Sequence, residues 1–119
     1  KKPRNIWTQK EYLLEFKMLN TLESLFTLAR ERKKTPVEGS YSNKLLNDKS
    51  FSKKKVLEEI NELIEAVEND TNKIHEAADV FYHLTMYLEA NEIKIEDVME
   101  ELNKRKKWVM MKIISLQKF

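Results

Sequence analysis

Apolar residues recur three and four positions apart along most of the chain. Leu14, Met18, Leu22, Leu25 and Leu28 keep that spacing, which predicts a first helix from about Gln9 to Lys33. The segment KKTPVEGSYSN interrupts it with Pro36 and Gly39, residues that end helices and form turns. A short helical turn over Asn43–Asn47 is expected next, with Ser42 as its cap. Val56, Ile60, Leu63, Ile64 and Val67 then make the stripe of a second long helix, from Ser52 to about Glu68. A third helix is expected from Thr71 or Asn72 to Ala90, after NDTN, and a last one from Ile95 onward, after NEIK. Long helices with short breaks predict an all-α antiparallel bundle of four to five helices.

Composition supports that reading and narrows the partners. One Gly and two Pro in 119 residues leave little to punctuate strands, and this length supports one core. A single domain over residues 1–119 is expected. The net charge of +2, from 22 basic and 20 acidic residues, argues against a nucleic-acid binder, which would be one-sidedly basic. Without Cys, disulfides and thiolate metal sites are excluded. No apolar run reaches membrane-spanning length and no signal peptide is visible. The expectation is a cytoplasmic protein with no membrane partner. The chain opens on Lys1 rather than Met, as a processed product or one domain of a longer protein would.

The acids carry the candidate chemistry. At about 100° per residue, Glu59 falls between Leu63 and Ala66 on the edge of the second helix's apolar stripe, and Glu62 lies beside it. Glu58 and Glu65 sit further towards solvent. Lys55 shares the edge and is spaced to pair with Glu59. In the third helix, Ile74, Ala77, Ala78, Phe81, Leu84 and Leu88 make one apolar face, and Val80, Met86 and Tyr87 extend it. A helix apolar nearly all round is expected to be buried on more than one side. Glu76, Asp79 and His83 are then a narrow polar stripe within it. Any one glutamate alone is an ordinary surface residue in a chain that is 35% charged. Buried together, however, Glu59, Glu62, Glu76 and Asp79 need counter-charge, and they can converge on one hard divalent cation. Their all-oxygen donor set favours Mg²⁺, with Mn²⁺ as the alternative, over iron or zinc. His83 reads as a hydrogen-bonded core histidine and not as a ligand.

EEINE followed by EAAD has the Glu-Glu-x-x-Glu, then Glu-x-x-Asp, pattern of the MazG-like all-α nucleotide pyrophosphohydrolases. LFTLARERKKTPVEGSYSNKLL and EAADVFYHLTMYLEANEIKIEDVMEELNKR, with the spacing between them, more narrowly resemble the phosphoribosyl-ATP pyrophosphohydrolases over about residues 22–105. The resemblance implies a MazG-like bundle, usually a homodimer. It implies Mg²⁺-dependent hydrolysis of phosphoribosyl-ATP to phosphoribosyl-AMP and pyrophosphate, the second step of histidine biosynthesis. In many bacteria such a domain is fused behind the cyclohydrolase of the next step.

By motif position, the resemblance implies Glu59, Glu62, Glu76 and Asp79 as metal ligands, the same four that the helix faces select. It makes Glu58 a supporting group or the base that orients the attacking water. Arg32, Lys33, Lys44, Lys55 and Arg105 fall at the family's basic positions and are candidates for phosphate contacts. Gly39, Ser40 and Tyr41 of the loop, and the Tyr82–His83 pair, are candidates for substrate contacts. The chain departs from the pattern at Leu57, where the family often has Gly; Leu is the better helix former. It also continues past Arg105 with KKWVMMKIISLQKF, where Trp108, Met111 and Ile114 predict a helix packed on the bundle or on a partner subunit. Trp7 and Tyr12, ahead of the similarity, are expected to pack. Two other readings remain. A MazG-like enzyme that clears non-standard nucleoside triphosphates would share the acids and differ in GSYSNKLL. A non-catalytic helical interaction protein would use the acids as salt-bridge partners.

Overall fold

Five helices and no strand make up the described residues of the chain, a computed structural model that covers the backbone of residues 9–117 and the side chains of residues 20–106. The protein is all-α. Helix α1 spans Gln9–Lys34 and closes on Arg32, Lys33 and Lys34, cations that suit the negative end of a helix dipole. Pro36 follows and disfavours helical backbone at Thr35.

Gly39 has a φ of 81°, a left-handed angle open to glycine without strain. Nothing lies within 4 Å of where its side chain would be, so the backbone angle, not lack of room, calls for the glycine. Helix α2 starts directly after the turn and spans Tyr41–Asn47. Ser40, not Ser42, caps it: the Ser40 hydroxyl accepts from the Asn43 N–H at 3.0 Å. Ser40 is extended (φ −83°, ψ 153°), the backbone a capping residue needs, whereas Ser42 already lies inside the helix.

Helix α3, Lys49–Asn69, begins three residues earlier than its apolar stripe suggests, because Asp48 serves both neighbours. Its N–H donates to the Lys44 carbonyl of α2 at 3.0 Å, and its carboxylate accepts from the Phe51 N–H at 3.0 Å. Helix α4 spans Lys73–Ala90 and α5 spans Ile95–Gln117. With one glycine in the chain, the other left-handed positions among the described residues fall to Asp70, Asn72 and Glu92; Asp and Asn tolerate this region better than other side chains do.

Helix α4 packs against α1, α2 and α3. The fully buried core is Ala29 of α1, Leu45 and Leu46 of α2 and Met86 of α4, flanked by Leu25, Phe51 and Tyr82. The expected stripes are only partly buried. On α3, Val56 is buried but Ile60, Ile64 and Val67 are exposed. On α4, Met86 is buried but Ile74 is 88% exposed, Phe81 is 54% exposed and Leu84 is exposed too. The α3–α4 hairpin therefore keeps an apolar face that this chain does not cover. The side chains of Trp7, Tyr12, Trp108, Met111 and Ile114 lie outside the described residues.

Helix α5 is tied to α1 by Arg30, which donates two hydrogen bonds of 2.8 Å to the Glu96 carboxylate. They bridge a groove of about 560 Å³ whose apolar lining includes Leu22, Phe26, Ile95 and Met99. The Arg30 hydrogen bonds lower the Glu96 carboxyl from 4.5 to about 2. A carboxyl depressed on folding adds stability that is present above its unfolded value and lost as pH falls through the folded one. Glu96→Gln is therefore expected to be slightly less stable than the parent chain at neutral pH. The difference should close between about pH 5 and pH 2. Thermal denaturation across that range is the check. The effect is small because solvent screens an exposed pair.

Candidate metal centre and the face beside it

The short turn between α3 and α4 sets the two helices antiparallel and side by side, so acids of one meet acids of the other. Carboxylate oxygens of Glu59, Glu62 and Glu76 all lie within 4.8 Å of one another. Glu59 is 7% exposed, and no hydrogen bond or ion pair among the described residues engages its carboxylate. The Oε1 of Glu76 is buried with no hydrogen-bond partner. Burial, then the neighbouring charge of Glu62, pushes the Glu76 carboxyl above its usual range; Asp79 adds to the rise and His75 opposes it. Lys55, the nearest expected cation on α3, does not neutralise Glu59. Its Nζ sits 3.1 Å from Glu58 instead, one helical turn away at i,i+3.

Carboxylates gathered this closely without a counter-charge repel one another. An orphaned buried oxygen and an all-oxygen donor set are what a hard divalent cation satisfies, so the residues present fit Mg²⁺ or Mn²⁺. Beside them is a cavity of about 140 Å³, lined in part by Glu62, Glu65, Asn72 and Glu76.

The four expected ligands do not form one tight group. Asp79 belongs to a second set with His75 and Glu76, whose donor atoms again lie within 4.8 Å of one another. Glu76 is common to both sets. His75 Nε2 stands 3.4 Å from Asp79 Oδ2. Reasoning from the apolar stripe passed over His75 because it sits on the solvent side of the first turn of α4. The signal available was its i,i+4 spacing to Asp79.

Helix α2 builds the face beside the acids. The Nδ1 of His83 lies 2.7 Å from the Asp79 carbonyl, and its Nε2 lies 2.8 Å from the Tyr41 hydroxyl. A carbonyl can only accept, so Nδ1 carries the proton, and in the neutral ring Nε2 accepts from Tyr41. Burial, more than any neighbouring charge, pushes the Tyr41 phenol up, while Lys55 opposes it and Glu59 and Glu58 reinforce it. The hydroxyl thus stays protonated and able to donate. Ser42 and Tyr82 share a 2.5 Å hydroxyl contact. Lys44 places its ammonium 4.1 Å from the centre of the Phe51 ring, and Phe51 packs edge-on against Tyr41.

Other candidate positions are occupied with structural work or lie apart. Lys33 donates to the Leu46 carbonyl at 3.0 Å, closing the end of α2. Arg32 is exposed near the end of α1, beside Thr35 and Pro36. Arg105 contacts Glu101 of its own helix at 3.3 Å. Ser40 caps α2 and Gly39 makes the turn before it.

A helical hairpin that gathers unneutralised carboxylates next to a hydrogen-bonded Tyr–His face defines an all-α protein with a candidate divalent-metal centre. The family profile for phosphoribosyl-ATP pyrophosphohydrolase matches residues 19–106, and the chain belongs to that family. It is 42% identical over 96 residues to the phosphoribosyl-ATP pyrophosphatase of Clostridium novyi (strain NT), covering 76% of this chain and 86% of the relative. It is 36% identical over 95 residues to the phosphoribosyl-ATP pyrophosphatase of Methanocella arvoryzae, covering 76% of this chain and 100% of the relative. A third relative, the histidine biosynthesis bifunctional protein HisIE of Pyrococcus furiosus, is 41% identical over 90 residues; the match covers 75% of this chain and 43% of the relative. No helix of the described residues is long and apolar enough to cross a membrane.

Proposed function

We propose that this chain hydrolyses phosphoribosyl-ATP to phosphoribosyl-AMP and pyrophosphate, the second step of histidine biosynthesis, as a single cytoplasmic domain dependent on Mg²⁺. The observation that carries the reading is the set Glu59, Glu62 and Glu76, crowded within 4.8 Å with no cationic partner, in a chain of this family. Those three, with Asp79, would hold the ion, which supplies charge neutralisation at the phosphate oxygens when bound.

The chain's own groups do the rest. The substrate lies on the open face beside α2. There Lys44 and Lys55 offer donors to an anionic chain of phosphates, while the single O–H of Tyr41 stays donated to His83. Glu58, kept beside Lys55 at 3.1 Å, orients the attacking water and takes its proton. The water oxygen bonds to the α-phosphorus as the α–β anhydride breaks, and pyrophosphate carries away the bonding electrons. His83 holds Tyr41 through the bond to its Nε2, so the two act as one unit.

The same reading makes the chain a homodimer. Leu57, Ile60, Ile64 and Val67 of α3 repeat at three- and four-residue spacing and are all exposed, the seam that pairs helices. Ile74, Phe81 and Leu84 continue it on α4. A second copy of this chain is the partner proposed there, and a cyclohydrolase, covalently attached or separate, is the neighbour that consumes the product.

The test is pyrophosphate release from phosphoribosyl-ATP with Mg²⁺, run beside dUTP and dCTP. Selective release from phosphoribosyl-ATP, stopped by excess EDTA, is expected. Asp79→Asn should reduce it by at least about a hundredfold, as losing several kcal/mol of transition-state stabilisation requires. Release from dUTP or dCTP alone would keep the site and change the substrate. No release from any of them by the folded, Mg²⁺-supplied chain would overturn the enzymatic reading.

A further inference from the structure

The two donor sets that share Glu76 differ in kind. Glu59, Glu62 and Glu76 offer only oxygen, whereas His75, Glu76 and Asp79 include an imidazole nitrogen. We infer that His75 is a nitrogen ligand of the bound ion and biases this site towards Mn²⁺ over Mg²⁺. The inference rests on the metal centre proposed above and extends its donor set to a residue outside the acidic motif.

Several observations converge on it. His75 is 71% exposed and is held only by its 3.4 Å contact to Asp79, so nothing locks its ring away from the acids. The nitrogen already stands within ligand-sharing reach of Glu76 and Asp79. Glu76, whose buried Oε1 has no hydrogen-bond partner, belongs to both donor sets, so the set that includes His75 contains an unsatisfied oxygen-bearing side chain. Imidazole is a poor match for Mg²⁺, which takes oxygen ligands. It suits transition metals better, so adding one nitrogen separates two ions that carboxylates alone barely distinguish.

The chain offers a clean way to test this. It has two histidines. His83 is buried, with Nδ1 committed to the Asp79 carbonyl and Nε2 to Tyr41. Any imidazole nitrogen coupled to a bound metal therefore belongs to His75, provided the protein carries no polyhistidine tag.

The experiment is electron spin-echo modulation on the tag-free chain loaded with Mn²⁺, with Mn²⁺ and Mg²⁺ affinities measured by calorimetry in the parent and in His75→Asn. The expected result is nitrogen modulation in the parent that is lost in His75→Asn. The variant should bind Mn²⁺ about tenfold more weakly, the scale on which one group near a metal changes affinity, and Mg²⁺ within about twofold. Mn²⁺ bound without nitrogen modulation overturns the role of His75 and leaves the carboxylate centre standing. An equal loss of affinity for both ions overturns the metal preference. No Mn²⁺ or Mg²⁺ bound by the folded parent overturns the metal centre itself.

Discussion

Glu76→Gln is expected to make the metal-free chain more stable at neutral pH while removing its response to Mg²⁺. Both effects follow from one side chain. The Glu76 carboxyl is raised, first by burial and then by the charge of Glu62. A group raised on folding contributes stability that is complete below its unfolded value, here 4.5, and is lost as pH rises through the folded one. At neutral pH the ionised carboxylate therefore opposes folding. Glutamine keeps the shape and removes the charge, so the variant should melt higher than the parent at neutral pH. The two should converge below about pH 4.5, where the parent is protonated as well. Saturating Mg²⁺ should raise the melting temperature of the parent, because a ligand that binds only the folded state stabilises it, and should leave Glu76→Gln unmoved. Pyrophosphate release should fall at least about a hundredfold in the variant. Melting curves with and without Mg²⁺ across this pH range check all of it. An ordinary salt-bridge glutamate predicts the reverse: a less stable variant and no role for the metal.

The second large effect is expected at the uncovered face of the α3–α4 hairpin. Phe81→Glu should convert the proposed dimer to monomer. Phe81 is 54% exposed in the single chain, so the charge is tolerated there, and circular dichroism should show unchanged helix content. In a two-fold interface the substitution occurs twice. Each copy forfeits about 1.5–3 kcal/mol of apolar burial and buries a carboxylate besides. Together these should weaken association by at least about a hundredfold, since each 1.4 kcal/mol is a factor of ten. Sedimentation velocity over a concentration series reads this directly. A parent chain that sediments as a monomer throughout would remove the dimer from the reading.

Much of the fold was legible in the sequence, because helices with few breakers leave a plain 3.6-residue record. Gln9 and Ala90, the outer limits of the first and third predicted helices, match the observed ends. The starts of α2 and α3 were not legible in the same way. Both depend on capping, and Ser40, Ser42 and Asp48 are all acceptable caps by residue type; only backbone geometry separates them. The burial of α4 was misjudged for a related reason. An apolar stripe shows that a surface wants to be covered, not that the same chain covers it, so Phe81 and Ile74 looked like core. At the candidate centre, the approach of Glu59, Glu62 and Glu76 was readable from their helix faces, but the burial expected of all four acids holds only for Glu59: Glu76 and Asp79 are half-buried and Glu62 is exposed. His75 was not readable, since a histidine on an exposed first turn carries no cost of burial. The pairing of Lys55 with Glu58 was equally hidden, because i,i+3 and i,i+4 are both within a lysine's reach.

The separate placement of α2 has a consequence for how such a protein can change. The acids sit on α3 and α4, whereas Tyr41, Ser42 and Lys44 ride on a seven-residue helix between a glycine turn and a single capping aspartate. That short piece touches α4 through two hydroxyl bonds, Tyr41 to His83 and Ser42 with Tyr82. Leu45 and Leu46 of the same piece are fully buried in the core, so α2 joins the face beside the acids to the packing of the bundle. Substitutions at its exposed positions, Tyr41 and Lys44, are therefore expected to alter that face while Leu45 and Leu46 keep the helix in place. Variation in such a scaffold can be confined to those exposed positions, leaving the carboxylates of α3 and α4 in place.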